Sequence, residues 1–337
     1  MKTVIWIVIL MVAVLLLLNV QTTLLGAAMK VQHPSMVAIF HQPPHSNTNS
    51  VNMSGTNSSG TKLAIINFDD GYKSQFINAK PLLDKYGFKA SFFIVCNFVG
   101  KTAKEMNSSS VINFAGKGVE QMTWDNIITL YKQGHQIGAH TMNHLRNMTS
   151  MPKSELDFEI GHSKQCLADH GIYSITFAYP FENGKDNNTI VNKVAQYYSY
   201  ARSGNYPLMF LHCDHFVKYS HQIDCRTYLP NGKISYANRY SIVGWSHDYD
   251  RIAYLYNDQQ MLHRFIQVVK GQDKYNKPGQ PADAIPIIVY HRIDNSRAPY
   301  STTVSLLSAE MQYLHDNGFH VISMIDLLYD KRQIHFI

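Results

Sequence analysis

The sequence predicts an α/β fold with a mainly parallel sheet, of a size that suits one barrel domain. Three observations point there. Past residue 61, short apolar runs alternate with amphipathic stretches, the signature of strand–helix units. The roughly 275 residues that follow are enough for one such barrel. Several of the apolar runs also end in carboxylates or imidazoles, and strand exits are where α/β barrels carry their chemistry.

The elements follow in order. Leu63 to Phe68 is an apolar strand, and Asp69, Asp70 and Gly71 come directly after it. Successive strand side chains point to opposite faces, so the two carboxylates need not share one task. Gly71 permits a sharp turn or close approach of a ligand; taken alone, Asp-Gly is equally a plain turn dipeptide. Ser91 to Val95 is a buried strand, and Thr123 caps a helix opening at Trp124. Ile137 to Ala139 is a short strand ending at His140. Ser154 to His170 reads as a helix with Ser154 as its cap. Ser174–Ala178, Tyr240–Val243 and Ile285–Tyr290 read as strands, and Ser308–Asn317 as a helix stopped by Gly318. There is no internal repeat.

Three of these strand ends carry a coherent chemistry. His140 and His144 are four residues apart, so a helical turn or a tight loop brings both rings to one side. Two imidazoles and one carboxylate make a three-ligand set for a divalent cation, with positions left for water or substrate. The chain has 17 histidines, but a chance pair would not be expected at a strand end. His291, after Ile285 to Tyr290, is placed to act as general acid or base; alone it is equally a histidine satisfied at a strand end. Together the three ends describe a metal-assisted hydrolase site.

Asn67-Phe68-Asp69-Asp70-Gly71 resembles the first motif, Thr-Phe-Asp-Asp-Gly, of the polysaccharide deacetylases, the NodB-homology group within carbohydrate esterase family 4. His140-Thr141-Met142-Asn143-His144 matches their second motif, His-Ser/Thr-x-x-His. Tyr179-Pro180-Phe181 resembles the third, Arg-x-Pro-Phe/Tyr, and Val289-Tyr290-His291 the last, Leu-x-His. The resemblance covers roughly residues 62 to 328, with the motifs in the family's order. It implies a distorted (β/α) barrel of about seven strands that removes acetyl groups from N-acetylated sugars. Asp70, His140 and His144 would hold the metal, commonly zinc; Asp69 would be the general base and His291 the general acid. The backbone N–H of Tyr72 would help bind the oxyanion, and Pro180, Phe181 and Trp245 would lie on the substrate side. For Trp245 a place in the acetyl pocket and an ordinary core position are both open. The third-motif arginine, which orients the base, is Ala178 here. Arg202, Arg239 and the segment Gly244 to Asp248 are the compositional candidates to hold Asp69. The runs Phe92 to Asn97 and Lys164 to Ala168 resemble archaeal members.

The remaining features set the address. Val4 to Val20 is apolar apart from Asn19, and small residues Gly26, Ala27 and Ala28 follow, so residues 1–28 read as a signal peptide or an uncleaved membrane anchor. Residues 29–61 read as a Ser/Thr/Asn-rich linker, leaving 62–337 for the catalytic domain outside the cytoplasm. Sequons start at Asn52, Asn57, Asn107, Asn147 and Asn187. Of the four cysteines, Cys213 and Cys225 are expected to pair, with Cys96 and Cys166 as buried thiols. The nearby His212, Asp214, His215 and His221 have zinc-suited types but no metal-site spacing. The net charge of +6 comes without a basic run, which suits an anionic surface polymer and argues against nucleic acid. The expected partner is an N-acetylated glycan. Hydrolysis of another amide or ester, and glycan binding without catalysis, are the alternatives.

Overall fold

The structure, a computed structural model, describes residues 62–108, 119–210, 239–279, 282, 284–327, 329–330 and 335–336. The expected leader, linker, Cys213–Cys225 pair and neighbouring histidine cluster lie outside the described residues, as do the sequons at Asn52 and Asn57.

Seven parallel strands close a barrel: β1 (Leu63–Phe68), β2 (Ser91–Ile94), β3 (Gln136–Ala139), β4 (Thr176–Ala178), β5 (Tyr200–Asn205), β6 (Ile242–Ser246) and β7 (Ile287–Tyr290). They pair in sequence order, and β7 pairs back onto β1 with Phe68 opposite Tyr290. An eighth strand, β8 (His320–Ile322), pairs with the first half of β1, Leu63 opposite His320. Strands buried on both faces read as continuous apolar runs, and every residue of β1, β2 and β7 is buried. Their alternate residues serve two cores. Ala64, Ile66 and Phe68 pack outward against the helices, whereas Leu63 and Ile65 join Phe93, Ala178, Ile242 and Ile287 inside the barrel.

Seven helices enter the argument: α1 (Lys80–Tyr86), α2 (Trp124–Lys132), α3 (Ser163–Asp169), α4 (Asn188–Tyr197), α5 (His247–Tyr254), α6 (Asp258–Lys270) and α7 (Val304–Asp316). Thr123 caps α2 through a reciprocal capping box with Asn126. Four boundaries differ from the sequence reading. The helix expected from Ser154 starts at Lys153 and passes through a wide turn, Phe158–His162, into α3, so Ser154 is not its cap. The α7 helix begins four residues earlier than expected because Thr303, not Ser308, accepts the free backbone N–H of Leu306. Pro286 splits the expected 285–290 strand, and β6 runs to Ser246. The polar strand β5 was not anticipated.

Cys96 and Cys166 form a disulfide, correcting the expectation of two free thiols. The pairing depends on the turn after β2 lying against α3, which spacing along the chain does not reveal.

Candidate metal centre and active site

The strand ends converge on a cleft of about 440 Å³ lined by Asp69, Asp70, His140, His144, Arg202 and His291, among others. Asp69 continues the inward face of β1 beyond Asn67. The chain then turns sharply through two left-handed residues, Asp70 (φ 74°) and Gly71 (φ 79°), which carries the second carboxylate into the same cleft.

His140 leaves β3 with its Nδ1 2.8 Å from the carbonyl of Ala178, an N–H···O contact that turns Nε2 toward Asp70, 3.4 Å from Oδ1. Thr141 (φ 67°) and His144 (φ 57°) are both left-handed, and the hydroxyl of Thr141 accepts the His144 backbone N–H at 2.9 Å. A β-branched residue at positive φ is a true outlier, costing on the order of 1–3 kcal/mol that the surroundings must offset. The result is that His144 Nε2 also reaches Asp70 Oδ1, at 3.2 Å.

These spacings fit a metal. Donors of a tetrahedral site with bonds of about 2.0–2.1 Å lie roughly 3.3 Å apart. Among the described residues, Asp70, His140 and His144 form the group whose donor atoms converge, all within 4.8 Å of one another. Both oxygens of Asp70 are buried without a hydrogen-bond partner, a costly arrangement unless a cation is their partner. Burial opposes ionisation of Asp70, but the imidazoles of His144 and His140 outweigh it and hold the carboxyl well below the usual range. Burial pushes His144 down to about 4 against the pull of Asp70. Asp70 and His144 are thus in the deprotonated forms that bind metal at neutral pH.

Asp69 stands beside this group and has a different partner. Its Oδ2 accepts from Arg202 Nη2, while Oδ1 has no partner. Arg202 comes from β5, directly opposite Ala178 in the β4–β5 ladder. Its guanidinium lies 5.1 Å from the centre of the Phe93 ring. Gly244 gives its stem room, since a Cβ there would sit 3.2 Å from Arg202 Cδ and 3.0 Å from Val289 Cγ2. The buried amide of Gln75 donates to the carbonyls of Asp69 (2.6 Å) and His291 (2.9 Å), tying the two strand ends together.

His291 extends the inward face of β7. Asp248, in the first turn of α5, accepts its backbone N–H at 2.9 Å and lies 3.0 Å from Nδ1. Burial alone would lower the imidazole, but the charge of Asp248, with lesser help from Asp70 and Asp69, raises it to about 9. The ring is therefore protonated at neutral pH, with Nδ1 committed to Asp248 and Nε2 left for a ligand. Phe181, Tyr249 and Tyr300 also line the cleft.

Residues 56–201 match the family described as polysaccharide deacetylase. This match spans less than half of the chain. It is 27% identical over 138 residues to a gellan lyase of a Bacillus species (41% of this chain, 4% of that protein). It is 26% identical over 135 residues to a bifunctional xylanase/deacetylase of Pseudobutyrivibrio xylanivorans (40% and 19%). The chain thus spans less than a fifth of either curated relative. Among solved structures it is similar to the Xyl-CE4 domain of a multidomain xylanase from the hindgut metagenome of Trinervitermes trinervoides, at 18% identity and TM-score 0.43, covering 79% of this chain and 88% of that one. It is also similar to a family 4 carbohydrate esterase from Streptomyces lividans in complex with acetate, at 12% identity and TM-score 0.45, covering 83% and 98%.

Across the described chain the sequence-derived residues fall into two groups. Asp69, Asp70, His140, His144, His291 and Phe181 share the cleft. Tyr72, Pro180 and Trp245 do not line it. Tyr72 is buried, its flanking residues are bridged to the Gln121 segment, and burial together with the charge of Asp70 raises its hydroxyl far above its ordinary value. Pro180 is buried at the start of a tight turn. Trp245 takes the core position, one of the two left open for it: strand alternation sends Gly244 and Ser246 into the cleft and the indole outward into the core, where Nε1 donates to Asp250 at 2.8 Å. Of the candidates to hold Asp69, Arg202 does so, whereas Asp248 serves His291. That second role was missed because Asp248 lies on a helix rather than at a strand end.

Proposed function

We propose that the chain is a metal-dependent hydrolase that removes N-acetyl groups from an extracellular or cell-surface polysaccharide. The observation that carries this reading is the convergence of Asp70, His140 and His144, flanked by a half-free carboxylate and a protonated imidazole. One carboxylate and two neutral imidazoles suit zinc. A divalent cation held there would polarise the acetyl carbonyl and acidify water enough for attack near neutral pH. Asp69 Oδ1, which Arg202 leaves free, accepts the proton of that water. His291 donates from Nε2 to the nitrogen of the departing amine, a poor leaving group until protonated. The rings of Phe181, Tyr249 and Tyr300 offer apolar faces for sugar rings. The deacetylase in the name of one curated relative supports this substrate chemistry.

Export is supported by the apolar stretch from residue 4 to 20 and by the Cys96–Cys166 disulfide, which persists in oxidising compartments. On this reading residues 1–28 are a signal peptide or anchor, 29–61 a linker and 62–337 the catalytic domain.

The test is metal analysis of the purified protein together with acetate release from N-acetylglucosamine oligomers. Bound divalent metal and acetate release are expected. Asp69→Asn should keep the metal and lose about 10²–10⁴ in rate, and Asp70→Ala should lose the metal. Bound metal without acetate release from any glycan would move the site to another amide or ester. Protein that takes up no metal would end the hydrolytic reading.

A further inference from the structure

The loop that carries the two histidines has no regular structure of its own, yet it is left-handed at Thr141 and at His144. Something must hold it. Among the described residues, Glu159, Cys96 and Asn97 hydrogen-bond to the backbone of its Thr141–Asn143 segment, and of these Glu159 is the charged one. Glu159, in the wide turn before α3, is 2% exposed and points its carboxyl at this loop. Its Oε2 accepts the consecutive backbone N–H groups of Met142 (3.1 Å) and Asn143 (2.9 Å). Its Oε1 accepts Asn143 Nδ2 at 2.7 Å. From the other side, the turn after β2 donates Cys96 N–H to the carbonyl of Thr141 (3.2 Å) and Asn97 N–H to that of Met142 (3.0 Å). Asn97 Nδ2 adds a bond to Asn143 Oδ1 at 2.7 Å.

These two supports are joined covalently. Cys96 lies in the β2 turn and Cys166 in α3, the helix that continues directly from the turn bearing Glu159. The disulfide therefore closes a bracket: β2 turn, histidine loop, Glu159 turn and α3. Accepting two successive N–H groups just after Thr141 is what a fixed anion does for a chain bent into the left-handed region. Charge-assisted bonds to backbone N–H groups are about twice as strong as neutral ones.

We propose that Glu159 is a positioning residue for the metal centre, holding the histidine loop in its ligating conformation from a place that touches neither the metal nor the substrate. This rests on the metal reading given above. Outer partners of ligating groups are worth 10–100-fold in metal affinity, and Glu159 acts one step further out, through the backbone between the ligands.

The experiment measures Zn²⁺ affinity by chelator competition for the wild type and for Glu159→Gln, with thermal unfolding of the metal-free proteins measured alongside. Gln keeps the size of Glu but replaces one acceptor oxygen with a donor. The expected result is Zn²⁺ binding weakened at least 10-fold in Glu159→Gln, with unfolding of the metal-free variant close to that of wild type. Equal Zn²⁺ affinity in the two proteins would overturn the proposal. A changed unfolding temperature with unchanged affinity would reduce Glu159 to a structural residue and would also overturn it. Wild-type protein that binds no Zn²⁺ is a separate result, sinking the metal reading itself. If Glu159→Gln does not fold, Asn143→Ala decides, since it keeps both backbone bonds to Glu159 and removes the side-chain bonds of Asn143 to Glu159 and Asn97; several-fold weaker Zn²⁺ binding is expected, and wild-type affinity refutes the clamp.

Discussion

Replacing Arg202 with alanine should disable the base without touching any metal ligand. Arg202 and Asp69 are an ion pair whose side chains are each 6% exposed. Deleting the guanidinium strands a carboxylate where water cannot compensate it, and breaking a buried pair in this way costs about 3–5 kcal/mol. Without the guanidinium the carboxylate is no longer held where its Oδ1 faces the attacking water, so turnover should fall by about 10²–10⁴ while metal content stays at the wild-type level. Ala178 is the register partner of Arg202 on the neighbouring strand, some 4.8 Å away. Arginine at 178 in the Arg202→Ala background should therefore reach the same carboxylate and recover at least 10-fold of the loss. The assay is acetate release at saturating metal, with kcat and KM resolved separately and metal content measured on each variant. An Arg202→Ala enzyme within about threefold of wild-type kcat would refute the argument, because losing a positioned general base costs about 10²–10⁴ in rate.

Three further outcomes follow from the same geometry. Asp248→Asn removes the charge that raises His291 to about 9; burial then dominates, and the protonated form is lost at lower pH. The alkaline limb of kcat/KM should move down by at least one unit, and a pH–rate profile with an unmoved limb would show that Asp248 does not tune the acid. Joint replacement of Cys96 and Cys166 by alanine releases a loop with 70 residues of sequence separation; chain entropy puts the loss near 4 kcal/mol. Thermal unfolding should drop by about 10 °C, with no drop if the bridge is absent in solution. His135 is buried, and burial lowers its pKa from 6.5 to about 4. Because the folded-state value is the lower one, its contribution is complete above about pH 6.5 and disappears as pH falls toward 4, roughly 3 kcal/mol in all. Urea midpoints at pH 7 and pH 4.5 should lie closer together in His135→Phe than in wild type.

Much of the barrel was legible because its strands are buried on both faces. Leu63–Phe68, Ser91–Ile94 and Ile287–Tyr290 stand out as apolar runs, and the residues that follow the first and the last of them line the cleft. The first two motifs were equally plain, since two carboxylates and two histidines at strand exits have little other use. What escaped was β5. Its sequence, Tyr-Ala-Arg-Ser-Gly-Asn, has no apolar signature because it presents Arg202 and Gly204 to the cleft. The attraction of Trp245 was misleading for a related reason. An aromatic draws the eye, but period two makes Gly244 and Ser246 the inward residues, and Gly244 matters for the side chain it lacks.

The missing arginine shows why a motif read along the chain falls short of a site in space. At position 178 the chain has alanine, and a linear pattern registers a loss. The β4–β5 ladder sets residue 178 beside residue 202, with both side chains on the same face of adjacent parallel strands. The base is indifferent to which strand supplies the guanidinium, provided the stem fits. Alanine at 178 and glycine at 244 are what allow it to fit from β5: a larger side chain at 178 would compete for the space beside Asp69, and a Cβ at 244 would crowd the arginine stem. The three positions therefore form one unit, and Gly244→Ala should cost more turnover in the wild type than in the Ala178→Arg/Arg202→Ala background, where the contacts with Val289 and Ile287 remain but the arginine stem is gone. Equal sensitivity to Gly244→Ala in both backgrounds would mean that the glycine serves the barrel wall and not the arginine.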